Sequence, residues 1–585
     1  MILGIYHPAQ GVGHDTGLAL IREDGSVIAA LSEERLSRVK MDGGFPFRAY
    51  EAIQRIHPFT AKDLSGVAVP FMSTADKTRE ASHLALATLR DPSLGFKQAR
   101  NRLAKDSFQK GMAAIGAYSY LEKYSAAVKK VRDADGRPKL NDWRDFLKWC
   151  GIDEAPLVHV DHHIAHAAGA YYTSGWEDAL LITCDGVGAL KSAIVAEGRA
   201  GKIKIRARTF YPNSPGEFWE VITAICGFHH FKHGGKITGL AAYGDPNHFE
   251  CYDILKRALD LDGLSVISRL DPPALAKQLK KFSREDIAAT SQRRLEEVVV
   301  ELAARAVKKT GLRRLALSGG VFANVKLNQR IAELDGVEEV YIYPAMGDEG
   351  LGLGAALFAA GLKHGLKPFR FRDLYFGPGF SDAEAEAELK KSKLPYSRHS
   401  DAELAEIVAG LLTQNKVIAI CRGRMEFGPR ALGHRTIVYQ TTDPHVNDWL
   451  NKRLERTEFM PFAPVTLPQY ADACYKGMES RRYAARFMTA TCDCTDLMKK
   501  QSPAVVHLDG TARPQLIERD AEPFYYDVLE KYHRKSGIPS LVNTSFNMHE
   551  EPIVCTPYDA IRAFTLGHLD ALVLGPFLVG TDIKK

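Results

Sequence analysis

Short apolar runs alternate with segments of helical periodicity along most of this chain, and the alternation predicts an α/β protein. The chain opens with three such runs, Ile2–Tyr6, Leu18–Ile21 and Val27–Ser32, which predict strands, with Asp24-Gly25 as the turn between the last two. Later strands are predicted at Gly66–Val69, Leu157–Val160, Ala179–Thr183, Leu315–Leu317 and Glu339–Ile342. Helices are predicted at Glu217–Cys226, Glu296–Lys309 and Glu349–Leu362.

A stretch rich in glycine, proline and basic residues, Gly365–Pro378, interrupts this pattern. We place a domain boundary there, which gives a first domain of residues 1–366 and a second domain of residues 367–585. Residues 74–149 have a helical pattern throughout and predict a helical insertion, either a solvated cap or the wall of a ligand pocket. In the second domain we predict strands at Val417–Cys421, Ser540–Val542 and Asp570–Leu574 and helices at Asp401–Gln414 and Glu522–Lys535.

The composition is that of an ordinary globular protein, with 45% hydrophobic and 25% charged residues. The net charge of +6 is too small to indicate a nucleic-acid-binding protein on charge alone. No apolar run is long enough for a transmembrane helix, and the N-terminus lacks the features of a signal peptide. The nine cysteines include no CxxC pair, which predicts free thiols in a reducing cytoplasm.

Two histidines and two aspartates form a candidate metal site. The candidate ligands are His162, His166, Asp185 and Asp348. Alanines around the histidines predict a helix, so that i,i+4 spacing places both imidazoles on one face, with His163 as an alternative to the first of them. Each aspartate lies at the end of a predicted strand. Such a set suits Fe(II), Mn or Zn, although each residue alone also fits a structural role as a helix cap, a turn or a buried histidine.

Two glycine-rich turns between strands and helices, Ser318–Asn324 and Gly347–Gly354, present backbone N–H groups that can bind nucleotide phosphate or an adenosine edge. His14 follows the first strand and is a candidate proton acceptor, because imidazole titrates near neutral pH. The charged stretch from Glu33 to Lys40 follows the third strand, and its simplest interpretation is a solvated charge run.

The second domain contains four dense polar motifs. They are Glu426–Arg435, Asn451–Pro464, His507–Arg513 and Asn543–Asn547. Arginines offer forked donors that match phosphate oxygens, and Ser, Thr and Asn supply short neutral donors at strand ends. An arginine within the Gly-Pro-Arg-Ala-Leu-Gly turn has its direction set by the backbone, which favours a binding role over a solvated one.

The order of these motifs resembles the NodU/CmcH family of O-carbamoyltransferases, relatives of the TsaD-type tRNA carbamoyl-threonyl transferases. The resemblance rests on the His-Asp turn, Glu-Glu-Arg, HxxxH, Asp-Gly, Gly235–Gly244, Ser-Gly-Gly-Val-x-x-Asn and Gly-Asp-Glu-Gly, followed by the four motifs of the second domain. It covers almost the whole chain except residues 74–149. The implied fold is α/β: an actin-like (ASKHA) duplicated α/β domain with a helical insertion, then a YrdC-like α/β domain.

The resemblance implies two reactions. In the second domain, carbamoyl phosphate and Mg-ATP would give carbamoyl-adenylate and pyrophosphate, with the substrates bound by Arg430, Arg456, Arg513, Asn543 and Ser545. In the first domain, the carbamoyl group would pass to a hydroxyl of a small-molecule natural product, antibiotic or sugar, with His14 accepting the proton. The metal, Fe(II) in the first instance, would be held by the four residues named above, and the nucleotide by Lys40, Gly319, Gly320 and Asn324.

Two rival functions remain. Both domain types have relatives in tRNA modification, which would require a basic face and salt-sensitive binding. An ASKHA-type nucleotide-binding regulatory protein is the alternative of another class, although it gives no reason for the candidate metal ligands. The sequence leaves open the acceptor, the metal and the assembly, including a homodimer.

Overall fold

The computed structural model describes residues 1–8, 14–71, 112, 136–140, 142–456 and 459–580. The predicted helical insertion at 74–149 therefore lies largely outside the described residues. Its final part is described and is helical, as helix α3 (Trp143–Cys150). Among the described residues, no helix is both long enough and apolar enough to cross a membrane.

The strands of the first domain begin at the amino terminus and continue to residue 342. They are β1 (Ile2–Tyr6), β2 (Gly17–Ile21), β3 (Val27–Ser32), β4 (Gly66–Val69), β5 (Leu157–His159), β6 (Asp178–Gly188), β7 (Lys191–Arg199), β8 (Lys202–Phe210), β9 (Leu259–Asp262), β10 (Ser265–Ser268), β11 (Arg314–Ser318) and β12 (Glu339–Ile342). The helices are α1 (Glu33–Ser37), α2 (Phe47–Ile56), α3, α4 (His162–Ser174), α5 (Pro215–Ile225), α6 (Gly234–Leu240), α7 (Phe249–Ala258), α8 (Pro272–Leu279), α9 (Arg284–Thr310), α10 (Val325–Ala332) and α11 (Leu351–His364).

Two five-stranded sheets of the same topology form this domain. The first has the order β3-β2-β1-β4-β5 and the second the order β8-β7-β6-β11-β12. In each sheet, taken in this order, neighbouring strands among the first three are antiparallel. The fourth strand runs parallel to the third, and the fifth runs parallel to the fourth. This repeated topology confirms the predicted duplicated α/β domain of actin-like type.

Helices α4 and α11 pack against each other between the two sheets. Small residues allow this close approach, because a Cβ added at Gly354 of α11 would overlap the carbonyl oxygen of Ala165 in α4. A Cβ added at Gly4 of β1 would likewise overlap the carbonyl oxygen of Gly352. The glycine- and alanine-rich sequence of α11 thus sets the distance between the two halves of the domain. It thereby also sets the position of the residues at the start of α4.

The second domain is also α/β, as predicted, with one eight-stranded mixed sheet of order β13-β22-β21-β14-β15-β20-β16-β19. Its strands are β13 (Tyr396–Arg398), β14 (Ile418–Cys421), β15 (Arg435–Tyr439), β16 (Ala463–Thr466), β17 (Cys492–Asp493), β18 (Thr511–Ala512), β19 (Gln515–Leu516), β20 (Ser540–Ser545), β21 (Ala571–Leu574) and β22 (Phe577–Gly580). Its helices are α12 (Asp382–Ser392), α13 (Asp401–Thr413), α14 (Val446–Arg453), α15 (Ala471–Cys474), α16 (Arg482–Ala485), α17 (Asp496–Gln501), α18 (Pro523–Ser536) and α19 (Pro557–Leu566).

The segment between the domains packs on both sides of the predicted boundary. Phe371 and Leu374 lie in the core of the first domain, whereas Ala385 and Leu389 lie in that of the second. The division at residues 366 and 367 stays a prediction. Backbone hydrogen bonds also join the domains directly, such as the one from the N–H of Val340 to the carbonyl of Ser480 at 2.8 Å.

Several predicted elements differ from the observed ones in extent. Strand β6 continues beyond the predicted end at Thr183 to Gly188, because it turns directly into a hairpin with β7 that the sequence analysis missed. Helix α9 begins at Arg284, twelve residues before the predicted start at Glu296, with Ser283 as its N-cap. All nine cysteines are free thiols in the structure.

Candidate functional site

Helix α4 presents its histidines from a rigidly fixed start. The N-cap residue Asp161 accepts a hydrogen bond from the N–H of Ile164 at 3.1 Å through one carboxylate oxygen. Its other oxygen lies 2.8 Å from Nζ of Lys191, a side chain that is fully buried. A buried ion pair with this geometry holds the first turn of the helix in one place, and with it the two imidazoles on its face.

The structure brings the four predicted metal ligands together. Their candidate ligand atoms all lie within 4.8 Å of one another. Asp185 Oδ2 is 3.1 Å from Nε2 of His162 and 3.3 Å from Nε2 of His166. Asp348 Oδ1 is 3.7 Å and 3.5 Å from the same two nitrogens. These residues come from α4, β6 and the turn before α11, so only the packed domain assembles them.

The second oxygen of each aspartate already accepts hydrogen bonds from the protein. Oδ1 of Asp185 accepts from the N–H groups of Gly186 at 2.9 Å and Gly320 at 3.3 Å. Oδ2 of Asp348 accepts from the hydroxyl of Tyr6 at 2.5 Å. One oxygen of each aspartate is therefore left to face the imidazoles. This is the arrangement in which outer partners orient metal ligands.

Hydrogen bonds of the Nδ1 atoms decide which histidine rings face the cluster. Nδ1 of His166 lies 3.2 Å from the hydroxyl of Ser318, which leaves Nε2 for the carboxylates. Nδ1 of His163 lies 2.7 Å from the hydroxyl of Thr183, so this ring is directed at the sheet. His162, rather than the alternative His163, therefore belongs to the cluster, and two imidazole nitrogens with two carboxylate oxygens fit a divalent transition metal.

Electrostatics of the cluster favour its charged form. Burial by itself would raise the pKa of Asp185, but hydrogen bonds and charges from His162 and His166 hold it well below its usual range. Burial would lower the pKa of His166, and the two aspartates outweigh it and raise the pKa to about 9. The acids therefore remain carboxylates, which is the state that binds a metal, whereas His166 must lose its proton to become a ligand.

His14 lies beside this cluster and pairs with Asp15, whose Oδ2 is 2.8 Å from Nδ1. Its ring centroid is 5.0 Å from that of Phe231. Burial lowers the pKa of His14, but the charge and hydrogen bond of Asp15, with smaller contributions from Asp348 and Glu220, raise it to about 10. Asp15 thus orients the imidazole and strongly favours its protonated form.

Three of the four predicted nucleotide residues, Gly319, Gly320 and Asn324, occupy a turn that touches the cluster. Gly319 has φ +103°, and a Cβ there would overlap the backbone of Cys184, so only glycine fits. The N–H of Gly320 donates to Asp185, as described above. Asn324 is buried, caps α10 and exchanges hydrogen bonds with the amide of Gln292 at 2.8 and 3.1 Å. The turn is therefore well ordered, and nucleotide binding by these residues stays a prediction.

The charged stretch after β3 is not a solvated run. Glu33 is 2% exposed and accepts from the N–H groups of Arg48 and Ala49 at 3.2 and 2.7 Å, so it caps α2. Arg35 is 4% exposed. The solvated interpretation fails because these side chains satisfy buried backbone groups. Lys40 lies half-buried at the end of the stretch. The pKa of Glu550 in the second domain is lowered chiefly by its hydrogen bond with His233, with a smaller contribution from the charge of Lys40.

In the second domain, the loop of residues 426–435, named the Arg430 loop, is organised by one carboxylate. Oε1 of Glu426 accepts from the N–H groups of Leu432, His434 and Arg435 at 2.8, 2.9 and 3.1 Å. Three donors on one oxygen fold the loop tightly. Arg430, in the middle of the loop, is half-buried.

Arg456 and the residues at the end of β20 form a second part of this site. Nη1 of Arg456 donates to the hydroxyl of Thr544 at 3.0 Å, and Nη2 donates to the carbonyls of Ser545 and Asn547, each at 2.6 Å. The guanidinium thus shapes the strand end, and Ser545 is half-buried beside it.

Asn543 connects the two parts. Its amide donates to the carbonyl of Ala431 at 3.1 Å and to Oε1 of Gln515 at 2.6 Å, and its carbonyl oxygen accepts from the hydroxyl of Thr436. The side chain is thus engaged within the protein, and a direct contact with substrate stays a prediction. Arg513 lies two residues before Gln515. The segments that carry the three predicted arginines therefore converge on one end of β20.

Sequence reasoning missed several supporting residues. Glu426 was visible as the first residue of its motif, but only the structure shows that it holds the loop. Lys191 carried no sequence signal, because its partner Asp161 lies thirty residues away. Glu220 of α5 is a further carboxyl group near Gly186 and His14. These residues act through tertiary contacts that spacing along the chain does not reveal.

Comparison with known proteins matches the chain in two parts. The family model described as Carbamoyltransferase N-terminus matches residues 2–357, and that described as Carbamoyltransferase C-terminus matches residues 409–581. The chain is 30% identical to an uncharacterized protein of Methanocaldococcus jannaschii, with 97% of this chain and 98% of that protein covered. It is 29% identical to Nodulation protein NolNO of Sinorhizobium fredii, with 97% of this chain and 79% of that protein covered.

A further relative is Nodulation protein NolO of Bradyrhizobium diazoefficiens, which is 34% identical over 72% of this chain and 78% of its own length. Among solved structures, component A of the Acidaminococcus fermentans (R)-2-hydroxyglutaryl-CoA dehydratase matches with a TM-score of 0.31 at 15% identity, covering 62% of this chain and 98% of that one. That structural likeness is too weak to bear on function. The two family models span most of the chain in order, and the protein belongs to the carbamoyltransferase family and is a carbamoyltransferase.

Proposed function

We propose that this carbamoyltransferase works in two steps, with ATP-dependent activation of carbamoyl phosphate in the second domain and transfer to a hydroxyl group in the first. The convergence of the Arg430, Arg456 and Arg513 segments on one end of β20 is the observation that carries the proposal. Both proposed substrates are phosphates, and arginines match their oxygens in charge and geometry.

In the activation step, water first cleaves carbamoyl phosphate into carbamate and phosphate. An oxygen of the carbamate then attacks the α-phosphorus of Mg-ATP, and pyrophosphate leaves to give carbamoyl-adenylate. Arg430, Arg456 and Arg513 bind the phosphates, and Ser545 offers a short donor. Neutralising charge and holding the reactants in line account for most of the rate increase. The support is that Glu426 and Asn543 hold these segments in place before substrate arrives.

In the transfer step, the hydroxyl of the acceptor attacks the carbamoyl carbon, AMP leaves, and the hydroxyl proton passes to the neutral form of His14, which is the minor form at pH 7 because Asp15 raises the pKa. Lys40, Gly319, Gly320 and Asn324 are the proposed contacts of the nucleotide. A divalent cation, Fe(II) first and Mn or Zn as alternatives, would be held by His162, His166, Asp185 and Asp348, where it would supply Lewis acidity. Its charge would also offset that of Asp348, a smaller cause than Asp15 of the raised pKa of His14.

We propose a hydroxyl-bearing small molecule as the acceptor, such as a natural product, antibiotic or sugar. This follows from the resemblance of the motifs and from relatives named as nodulation proteins. A tRNA acceptor remains the second candidate function. Weakening of tRNA binding with rising salt, measured by electrophoretic shift, would favour it.

The test begins with purified protein, carbamoyl phosphate, Mg-ATP and no acceptor. We expect pyrophosphate and carbamoyl-adenylate, detected by mass spectrometry. Arg430→Ala should abolish both products, and Arg398→Ala, which removes an exposed arginine of β13, should leave them unchanged. Absence of both products from the wild-type protein with metal and ATP present would overturn the activation step.

The division of labour between the domains needs a second variant. His14→Asn should stop transfer to an acceptor but leave formation of carbamoyl-adenylate intact. Loss of both activities in a folded His14→Asn protein would contradict the assignment of His14 to the transfer step alone.

A further inference from the structure

The tip of the Arg430 loop touches the first domain at a defined point. Gly428 has φ +98°, and a Cβ added to it would lie 3.0 Å from the carbonyl oxygen of Pro344. Pro344 begins the turn that contains Asp348. A side chain at Gly428 would therefore be both conformationally strained and crowded, so this position suits glycine.

A buried guanidinium of the first domain holds the same residue. Nη2 of Arg35 donates to the carbonyl of Gly428 at 2.7 Å. Nε of Arg35 lies 3.3 Å from Oε1 of Glu34, whose Oε2 accepts from the N–H of Met41 at 2.8 Å. Glu34 thus orients Arg35 and links it to the turn that contains Lys40.

The Arg430 loop is therefore restrained from two directions. Within the second domain, Glu426 accepts three N–H groups from the far end of the loop. From the first domain, Arg35 holds the near end. Glycines at 428 and 433, both with positive φ, bracket Arg430 and leave the backbone between them free to adopt other conformations when unrestrained.

We propose that Arg35, a residue of the first domain, is a positioning residue for the carbamoyl-activating site of the second domain. It holds Gly428 so that Arg430 is placed for phosphate before substrate binds. The proposal rests on the proposed function, which assigns Arg430 to phosphate binding. It implies that the activating site of the second domain is complete only when the two domains are packed together. Carbamoyl-adenylate would then form only when the transfer site of the first domain is already next to it.

The experiment compares the full-length wild-type protein with Arg35→Ala, Arg35→Lys and Arg38→Ala. Arg38 is the matched control, because it also crosses to the second domain, donating to the carbonyls of Ile553 and Pro552 at 2.7 and 2.8 Å, and its long bond to the backbone carbonyl of Arg35, at 3.4 Å, leaves the Arg35 guanidinium in place. Two quantities are measured: the KM for carbamoyl phosphate in pyrophosphate formation, and hydrogen exchange of peptides covering residues 426–435.

We expect Arg35→Ala to raise the KM about tenfold or more, the usual effect of losing a hydrogen bond from a charged donor. The N–H groups of Leu432, His434 and Arg435 should exchange faster in the same variant. Arg35→Lys keeps the charge but cannot reach Gly428 and Glu34 together, and it should give an intermediate result. Arg38→Ala should match the wild type in both measurements.

Wild-type exchange rates in folded Arg35→Ala and Arg35→Lys proteins would overturn the proposal. Equal effects of Arg35→Ala and Arg38→Ala would also overturn it, because they would show general undocking of the domains. If the wild-type protein forms no pyrophosphate, the proposed function fails, and the exchange measurement still decides whether Arg35 holds the loop. If Arg35→Ala does not fold, the lysine variant supplies both measurements.

Discussion

Nζ of Lys191 lies 2.8 Å from Oδ2 of Asp161, and the lysine side chain is fully buried at the first turn of the helix that carries His162 and His166. The pair joins the start of β7 to the N-cap of α4. Removing one member leaves the other charge without its partner in a poorly solvated place, which is far more costly than losing a surface ion pair.

We therefore expect Lys191→Met to destabilise the protein by about 3–5 kcal/mol. The measurement is thermal unfolding, with Lys202→Met, an exposed lysine at the start of β8, as the control. A melting temperature equal to that of the control variant would show that Asp161 finds other solvation and that the pair does not fix α4.

Metal content provides a direct test of the four-residue cluster. Asp185→Asn should bind little or no divalent metal, because it removes a charged oxygen that faces both imidazoles. Tyr6→Phe removes only the hydrogen bond that orients Asp348 and should weaken binding about 10- to 100-fold. Elemental analysis and titration with Fe(II), Mn and Zn measure both effects.

The control for this prediction is Asp178→Asn, which changes an exposed carboxylate at the other end of the same strand. It should leave the metal content unchanged. Equal metal content in Asp185→Asn and Asp178→Asn would mean that the cluster is not the binding site.

The pair of His14 and Asp15 makes stability depend on pH. The pKa of His14 is raised from 6.5 to about 10, so the pair stabilises the fold fully below pH 6.5, and this stabilisation is lost as pH rises through about 10. Asp15→Asn removes the main cause of the shift. The melting temperature of the variant should fall furthest below that of the wild type under pH 6.5, and the two should converge toward pH 10.

A difference between Asp15→Asn and the wild type that stays constant from pH 6 to 10 would exclude His14 as its source. The same variant bears on activity. A lower pKa leaves more of the neutral imidazole at pH 7, so the acid limb of the pH profile for transfer should move to lower pH.

Close packing of α4 and α11 predicts the effect of adding one methyl group. Gly354→Ala places a Cβ against the carbonyl oxygen of Ala165, which cannot move without shifting α4, and should cost about 1–3 kcal/mol. Gly410→Ala in α13 is the matched control, since a Cβ there meets no atom within 4 Å. It should stabilise the protein by about 0.5–1 kcal/mol. Thermal unfolding of both variants measures the contrast, and a stabilised Gly354→Ala protein would contradict the packing argument.

The sequence by itself determined the α/β class, about half of the described strands, fewer than half of the helices, and the four candidate metal ligands. These follow from local information: the alternation of apolar runs, the i,i+4 spacing of His162 and His166, and polar residues at strand ends. The hairpin of β6 and β7 escaped it because Asp185, Gly186 and Gly188 have the character of a turn, although β6 continues through them to Gly188 and pairs with β7.

Only the tertiary structure decided which side chains work together. His162 rather than His163 faces the aspartates because Thr183 binds the other ring, and Arg35 is buried because its donor reaches a carbonyl 393 positions away. The charged stretch after β3 looked solvated because exposed and buried charges are alike in sequence. Their difference lies in hydrogen bonds to backbone groups that folding brings near: Glu33 binds the start of α2 within the first domain, and Arg35 reaches a carbonyl of the second domain.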